Sequence, residues 1–155
     1  MSEQALTGVR ILDFSQVLAG PFATQLMAQL GAQVIKIEQP VGGDMTRGLM
    51  SASSDGMAPS FLAANLGKRS LTLDLKNPKA KAIVHKLVAK ADVIVENFKP
   101  GTIERLGFGY EAIKAIKPDL VYASISGFGQ TGPRASLPAF DGAIQAYSGM
   151  MSISG

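Results

Sequence analysis

The sequence contains no cysteine, and that absence excludes disulfide scaffolding, thiolate catalysis and cysteine-ligated metals together. Histidine is almost missing as well. The single His85 cannot build a histidine cluster, and its place among the lysines of segment 80–91, beside an apolar stripe of Ile83, Val84, Leu87 and Val88, predicts a solvated helix face. No metal site is expected. No apolar run approaches the roughly 20 residues of a membrane span, and the start Met1-Ser2-Glu3-Gln4 lacks the basic head and apolar stretch of a secretory signal. A cytoplasmic address without a membrane partner is the expectation. Neither charge sign dominates: 15 Lys and Arg stand against 12 Asp and Glu, and the basic residues are not interleaved with aromatics as in nucleic-acid binders. No nucleic-acid partner is expected, and an anionic small molecule suits the mild positive balance.

What is present points to an α/β protein. A 46% apolar fraction with 17% charged residues, 17 Gly and 8 Pro fits one compact domain in 155 residues and argues against a disordered or coiled chain. Segment 9–14 reads as a short buried strand and 21–30 as a helix whose first turn tolerates Pro21 and which Gly31 closes. Segment 33–38 is a second strand, so the first forty residues form a βαβ unit. Residues 40–59, rich in Gly, Ser, Asp and Met, show no period and predict a long surface loop. Strands follow at 70–75, 92–98 and 120–125, and helices at 78–91, 102–106 and 110–116, with Asn77-Pro78 as cap and first turn of the longest. The alternation predicts a Rossmann-like open, mainly parallel sheet with helices on both faces. Beyond a turn-rich loop at 127–133, segment 140–151 reads as an apolar helix, and the ending Met150-Met151-Ser152-Ile153-Ser154-Gly155 reads as interrupted.

Ligands of open parallel sheets bind beyond the carboxyl ends of the strands, which singles out 15–21, 39–46, 97–101 and 126–132. The turn Leu18-Ala19-Gly20-Pro21 would aim free N–H groups and a helix dipole at an anion. It departs from a dinucleotide fingerprint, because one glycine stands where three are wanted and Pro21 removes a donor. Glu38 mimics the ribose-binding acid of such sites, with a loop-facing carboxylate near Lys36 as the plain alternative. Lys68, Arg69, Lys76, Lys99 and Arg105 could surround a phosphorylated ligand, and Asn97-Phe98 offers an amide and an aromatic face.

The motifs Leu6-x-Gly8-x-x-Ile11-Leu12-Asp13-Phe14, Ala19-Gly20-Pro21, Leu30-Gly31-Ala32-x-Val34-Ile35-Lys36-Ile37-Glu38 and Gly43-Asp44 occur in order. They are followed by Asn65-x-x-Lys68-Arg69-Ser70, Leu73-Asp74-Leu75-Lys76, Glu96-Asn97-Phe98-Lys99-Pro100-Gly101 and Gly127-Phe128-Gly129-Gln130-Thr131-Gly132-Pro133. This set closely resembles family III CoA-transferases, over essentially the whole chain. The resemblance implies that residues 1–155 are the N-terminal, CoA-binding part of the family's large domain, the remainder lying outside this chain. It implies coenzyme A or acyl-CoA and a carboxylic acid as substrates, a homodimer of interlocked chains, and CoA contacts from Leu18, Ala19, Leu73, Asp74, Leu75, Lys76, Asn97, Phe98, Lys99 and Arg105. It also implies an aspartyl-CoA thioester whose nucleophilic aspartate lies beyond Gly155. No catalytic residue is therefore expected within this chain, which alone is expected to be inactive, and Asp141 is expected to position or support rather than attack.

Three departures refine the resemblance. The sister α-methylacyl-CoA racemases carry a histidine where this chain has Phe140, and α-proton transfer needs a titratable base. Formyl-CoA transferases have glutamine where Leu18 stands. Some members have a basic residue where Gln39 stands. A racemase-like enzyme and a CoA- or nucleotide-binding module without catalysis are the remaining alternatives, and an NAD-dependent oxidoreductase is disfavoured by the missing glycines.

Overall fold

The computed structural model describes residues 3–49 and 57–154. The expected surface loop at 40–59 falls partly outside these residues. Five strands, β1 (Arg10–Asp13), β2 (Gln33–Glu38), β3 (Arg69–Thr72), β4 (Val93–Glu96) and β5 (Val121–Ser124), pair in the order β3-β2-β1-β4-β5. Every pairing is parallel, with Leu12 opposite Ile35 on one side and Ile94 on the other. The helices are α1 (Ala19–Gln29), α2 (Pro59–Ala63), α3 (Pro78–Val88), α4 (Thr102–Leu106), α5 (Tyr110–Lys114), α6 (Asp141–Ser148) and α7 (Met151–Ser154). Among them no helix is long and apolar enough to cross a membrane.

The central strands are apolar on consecutive positions because both faces are covered. On one face, Leu12, Ile37 and Ile94 join Val84 and Val88 of α3, Ile103 of α4 and Ile113 of α5 in the larger core cluster. On the other, Ile11, Val34 and Val95 pack with Ala32, Met27 and Ala28. Val84, Val88 and Ile113 are wholly buried, each stabilising the fold by roughly 1.5–3 kcal/mol relative to exposure. Phe14, at the end of β1, stacks on Phe108 with ring centroids 6.0 Å apart.

The elements match the expected order, with local differences that have local causes. Helix α1 starts two residues early, at Ala19, which leaves Pro21 still in the first turn, where its missing N–H costs nothing. Strand β3 stops at Thr72 rather than 75, because the Asp74 carboxylate accepts the Lys76 N–H at 3.0 Å and the Asn77 N–H turns back to the Asp74 carbonyl. Asn77 caps α3 by accepting the Lys79 N–H at 2.9 Å. The single helix expected at 140–151 is two, interrupted at Gly149.

His85 departs from the expected solvated face. Its ring meets Phe108 edge-on at 5.9 Å between centroids, and its Nε2 is buried without a hydrogen-bond partner. The ring thus packs edge-on against Phe108, which itself stacks on Phe14.

Candidate functional site

The sheet order reverses between β1 and β4, so the segments leaving their carboxyl ends diverge and open a crevice at that edge. Two stretches flank it: Ser15 to Leu18, leading into α1, and Asn97 to Lys99, following β4. They are fastened to each other. Asn97 Oδ1 accepts the Gln16 N–H at 2.7 Å, and Asn97 Nδ2 donates to the Gln16 carbonyl at 2.7 Å. Leu18 is then 61% exposed at the mouth of the crevice and Ala19 opens α1 beside it. The turn is tight enough to require Gly20, where a Cβ would collide with the Ser15 side chain.

Below the loop lies a set of buried charges. Asp13, wholly buried, accepts from Thr24 Oγ1 at 2.6 Å, from Lys68 Nζ at 2.8 Å and from Ser15 Oγ. Lys36 Nζ lies 2.8 Å from Asp44 Oδ2 and donates to the Ser15 carbonyl at 2.7 Å. Glu38 takes a two-pronged contact from Arg47, 2.7 Å at each oxygen, together with Ser70 Oγ and the Asp44 N–H. The Arg47 guanidinium lies 3.6 Å above the Phe61 ring, and Gly43 at φ +62° leaves no room for a Cβ against Glu38 and Arg47.

These contacts correct two sequence expectations. Glu38 is not a ribose-binding acid but the loop-facing carboxylate of the plain alternative, buried and saturated by Arg47 and the Asp44 N–H of the loop after β2 and by Ser70. Burial opposes its ionisation, but those hydrogen bonds outweigh burial and hold its carboxyl down at about 2. Lys68 does not face a ligand either. Its side chain is 2% exposed, spent on Asp13, Asn65 and the Pro21 carbonyl, and burial pulls its pKa down against the pull of Asp13. Burial likewise works against Asp44, whose carboxyl is nonetheless held low by Lys36 and the Thr46 N–H.

Glu96 is the contrasting carboxylate. It is buried at the end of β4, accepts from the Phe98 N–H at 2.9 Å, and is pushed up chiefly by burial, with hydrogen bonds from Ser124 and Phe98 opposing.

The remaining expected site residues are exposed or line the crevice. Asn97, Phe98 and Lys99 line a cleft of about 270 Å³ together with Ser126 and Gly127 after β5 and with Leu137 and Phe140, and no residue of the loop before α1 takes part in it. Phe98 is partly buried and, with Leu73, Leu75 and Leu106, packs on the larger core cluster, so the stretches after β3 and β4 and the end of α4 share one face. Lys76 and Lys99 are exposed and pair with no acid among the described residues, while the exposed Asp74 carboxylate accepts the Lys76 N–H. Arg105 is exposed and donates to Thr102 Oγ1 at 2.9 Å. A slightly larger cleft, about 290 Å³, opens at the opposite edge, at the amino ends of β1, β2 and β3 near Arg10, Arg69 and Lys90. It has no helix N-terminus to offer, so the carboxyl edge is the stronger site.

The chain matches the family described as CoA-transferase family III over residues 6–155. The chain belongs to that family. Among its curated relatives, the succinate–glutarate CoA-transferase of Agrobacterium fabrum is 45% identical over 97% of this chain and 39% of its own length. The formyl-CoA:oxalate CoA-transferase of Bradyrhizobium diazoefficiens is 47% identical over 98% of this chain and 36% of its own. A CAIB/BAIF family protein from Brucella suis superposes with a TM-score of 0.93 at 42% identity, covering 99% of this chain and 42% of that one. The chain thus spans under half the length of these family III relatives.

Sequence reasoning missed Asp13, Asp44, Arg47 and the Asn97–Gln16 clamp as organisers of the site. Lys36 carried a legible signal, a charge between Ile35 and Ile37 in a strand buried on both faces. Asp44 stood out only as part of the Gly43-Asp44 motif, and Arg47 carried no signal, since both stand in a segment without periodicity.

Proposed function

We propose that the protein of which this chain forms part is a CoA-transferase that moves coenzyme A between an acyl-CoA and a carboxylic acid. The observation that carries the reading is the juxtaposition, at the sheet's reversal point, of the opening of α1 with the wall made by Asn97, Phe98 and Lys99, in a chain of CoA-transferase family III. The family relatives named above differ in acyl group and acid but share coenzyme A. What they hold in common with this chain at 45–47% identity is best explained by the common substrate.

The roles follow from chemistry. The N–H groups at Leu18 and Ala19, with the positive end of α1, suit a phosphate. Lys76, Lys99 and Arg105 add free or lightly engaged cations for a polyanion, while Leu73, Leu75 and Phe98 supply apolar surface for adenine or the pantetheine arm. Asp74 shapes the turn that presents Lys76, and Asn97 ties the wall after β4 to the loop that opens α1.

In this reading an aspartate outside the chain attacks the acyl-CoA thioester, releasing CoA thiolate and leaving an acyl-aspartyl anhydride. The thiolate opens the anhydride at the aspartyl carbonyl, giving aspartyl-CoA and the donor acid. The acceptor carboxylate attacks that thioester, and the released thiolate takes the acceptor acyl group from the new anhydride, returning the aspartate. Covalent catalysis of this kind divides one exchange into easier steps. Two copies of the whole protein assemble as a dimer. A racemase is disfavoured because the position of its base is held by Phe140, an apolar wall of the cleft.

The test is to incubate the complete protein with an acyl-CoA, trap with hydroxylamine and map the adduct by peptide mass spectrometry. A hydroxamate on an aspartate beyond Gly155 supports the transferase. Solvent exchange of the α-proton with no adduct sinks it in favour of a racemase, and CoA binding with neither reaction leaves a binding module.

A further inference from the structure

Val17 is the one non-glycine residue with a left-handed backbone among the described residues, at φ +69°. For a β-branched side chain that conformation is unfavourable and persists only where the surroundings impose it. Three groups converge on the strained peptide. Lys36 Nζ donates to the Ser15 carbonyl at 2.7 Å, and Asp44 Oδ1 accepts the Val17 N–H at 3.3 Å. Asn97 alone grips both backbone groups of the residue before it, the Gln16 N–H and the Gln16 carbonyl, each at 2.7 Å.

The geometry has a direct consequence for the site. Two residues after Val17 the chain enters α1, with Leu18 exposed between them. The backbone angle at Val17 therefore sets where Leu18 and the first free N–H groups of α1 point. If Val17 relaxed to the ordinary extended region, Leu18 and the opening of α1 would be re-aimed.

We infer that Asn97 is a positioning residue. It holds Val17 left-handed and so aims the opening of α1 at the phosphates of the bound CoA thioester, acting through the loop rather than on the ligand. The inference rests on the function proposed above for the ligand's identity, but the clamp itself can be read without ligand.

The complete protein, as wild type, Asn97→Ala, Val17→Gly and the double variant, is titrated with CoA by calorimetry. In parallel, hydrogen–deuterium exchange is followed on peptides spanning residues 14–20. Leaving the left-handed region relieves a residue such as valine by about a factor of ten in population, whereas glycine occupies both regions almost equally. Asn97→Ala is therefore expected to weaken CoA about tenfold and to speed exchange at 14–20 while peptides of β2 are unchanged. On the Val17→Gly background the same substitution is expected to cost only about twofold. Equal losses on both backgrounds, or unchanged exchange at 14–20 in Asn97→Ala, would overturn the proposal and make Asn97 a direct ligand contact. Should Asn97→Ala not fold, Asn97→Asp retains the acceptor for the Gln16 N–H and loses the donor, and an intermediate rise in exchange is expected. A wild type that fails to bind CoA counts against the function proposed above, while the exchange arm still decides the clamp.

Discussion

Lys36 and Asp44 meet as a buried ion pair, Nζ to Oδ2 at 2.8 Å with 2% and 0% of the two side chains exposed. The same ammonium holds the Ser15 carbonyl, and the same carboxylate caps Thr46 and receives the Val17 N–H. One pair thereby joins the interior of β2 to the loops that follow β1 and β2.

Removing one partner should therefore cost far more than removing an exposed cation. Lys36→Met is expected to destabilise the protein by roughly 3–5 kcal/mol, because Asp44 stays buried without its counter-charge. Lys76→Met is expected to change stability by less than about 0.5 kcal/mol. Urea denaturation of both variants checks the pair, and equal midpoints would show that the buried pair holds nothing.

Glu38 makes stability depend on acid. Its carboxyl is lowered from the ordinary 4.5 to about 2 in the fold, so its contribution is complete above 4.5 and is lost as pH falls toward 2. The difference corresponds to roughly 3 kcal/mol. Between pH 6 and pH 3 the wild type is expected to lose more stability than Glu38→Gln, measured as the change in denaturation midpoint with pH.

Glu96 should do the opposite. Its pKa is raised above 4.5, mainly by burial, so ionising it in the fold costs free energy that grows as pH rises from 4.5 through the raised value. Glu96→Gln, which keeps an oxygen for the Phe98 N–H, is expected to gain stability relative to wild type at pH 8 and to gain least at pH 4. Thermal melts at the two pH values provide the comparison, and a gain independent of pH would refute the charge argument.

The exposed cations should affect binding without affecting folding. Alanine at Lys76, Lys99 or Arg105 is expected to leave the melting temperature of the complete protein within about 1 °C and to weaken CoA several-fold each, with a shallower salt dependence than wild type. Titration calorimetry at two salt concentrations reads this. Unchanged affinity in all three would move the phosphates elsewhere.

Gly20 should tolerate no side chain. A Cβ there meets Ser15 Cβ and Oγ, and Ser15 is locked to Asp13. Gly20→Ala is expected to cost about 1–3 kcal/mol as an overpacked contact and to displace the start of α1. Ser15→Gly on the same background is expected to restore much of the loss.

The parallel α/β layer was legible in the one-dimensional pattern, because two-sided burial leaves unbroken apolar strands and the helices between them keep a 3.6-residue stripe. The loops at the carboxyl edge were legible too, since each follows an apolar run that ends in turn residues. What the sequence could not assign was the partner of each charge. Glu38 and Lys68 looked like groups waiting for a ligand, and only folding shows that Arg47 and Asp13, the latter 55 positions from Lys68, neutralise them. His85 likewise looked solvated until Phe108 was brought beneath it. The pattern of hydrophobicity is a local property that each segment carries by itself. Charge pairing, the clamp of Asn97 on Gln16 and the left-handed turn at Val17 are properties of segments brought together, and the tertiary structure alone decided them.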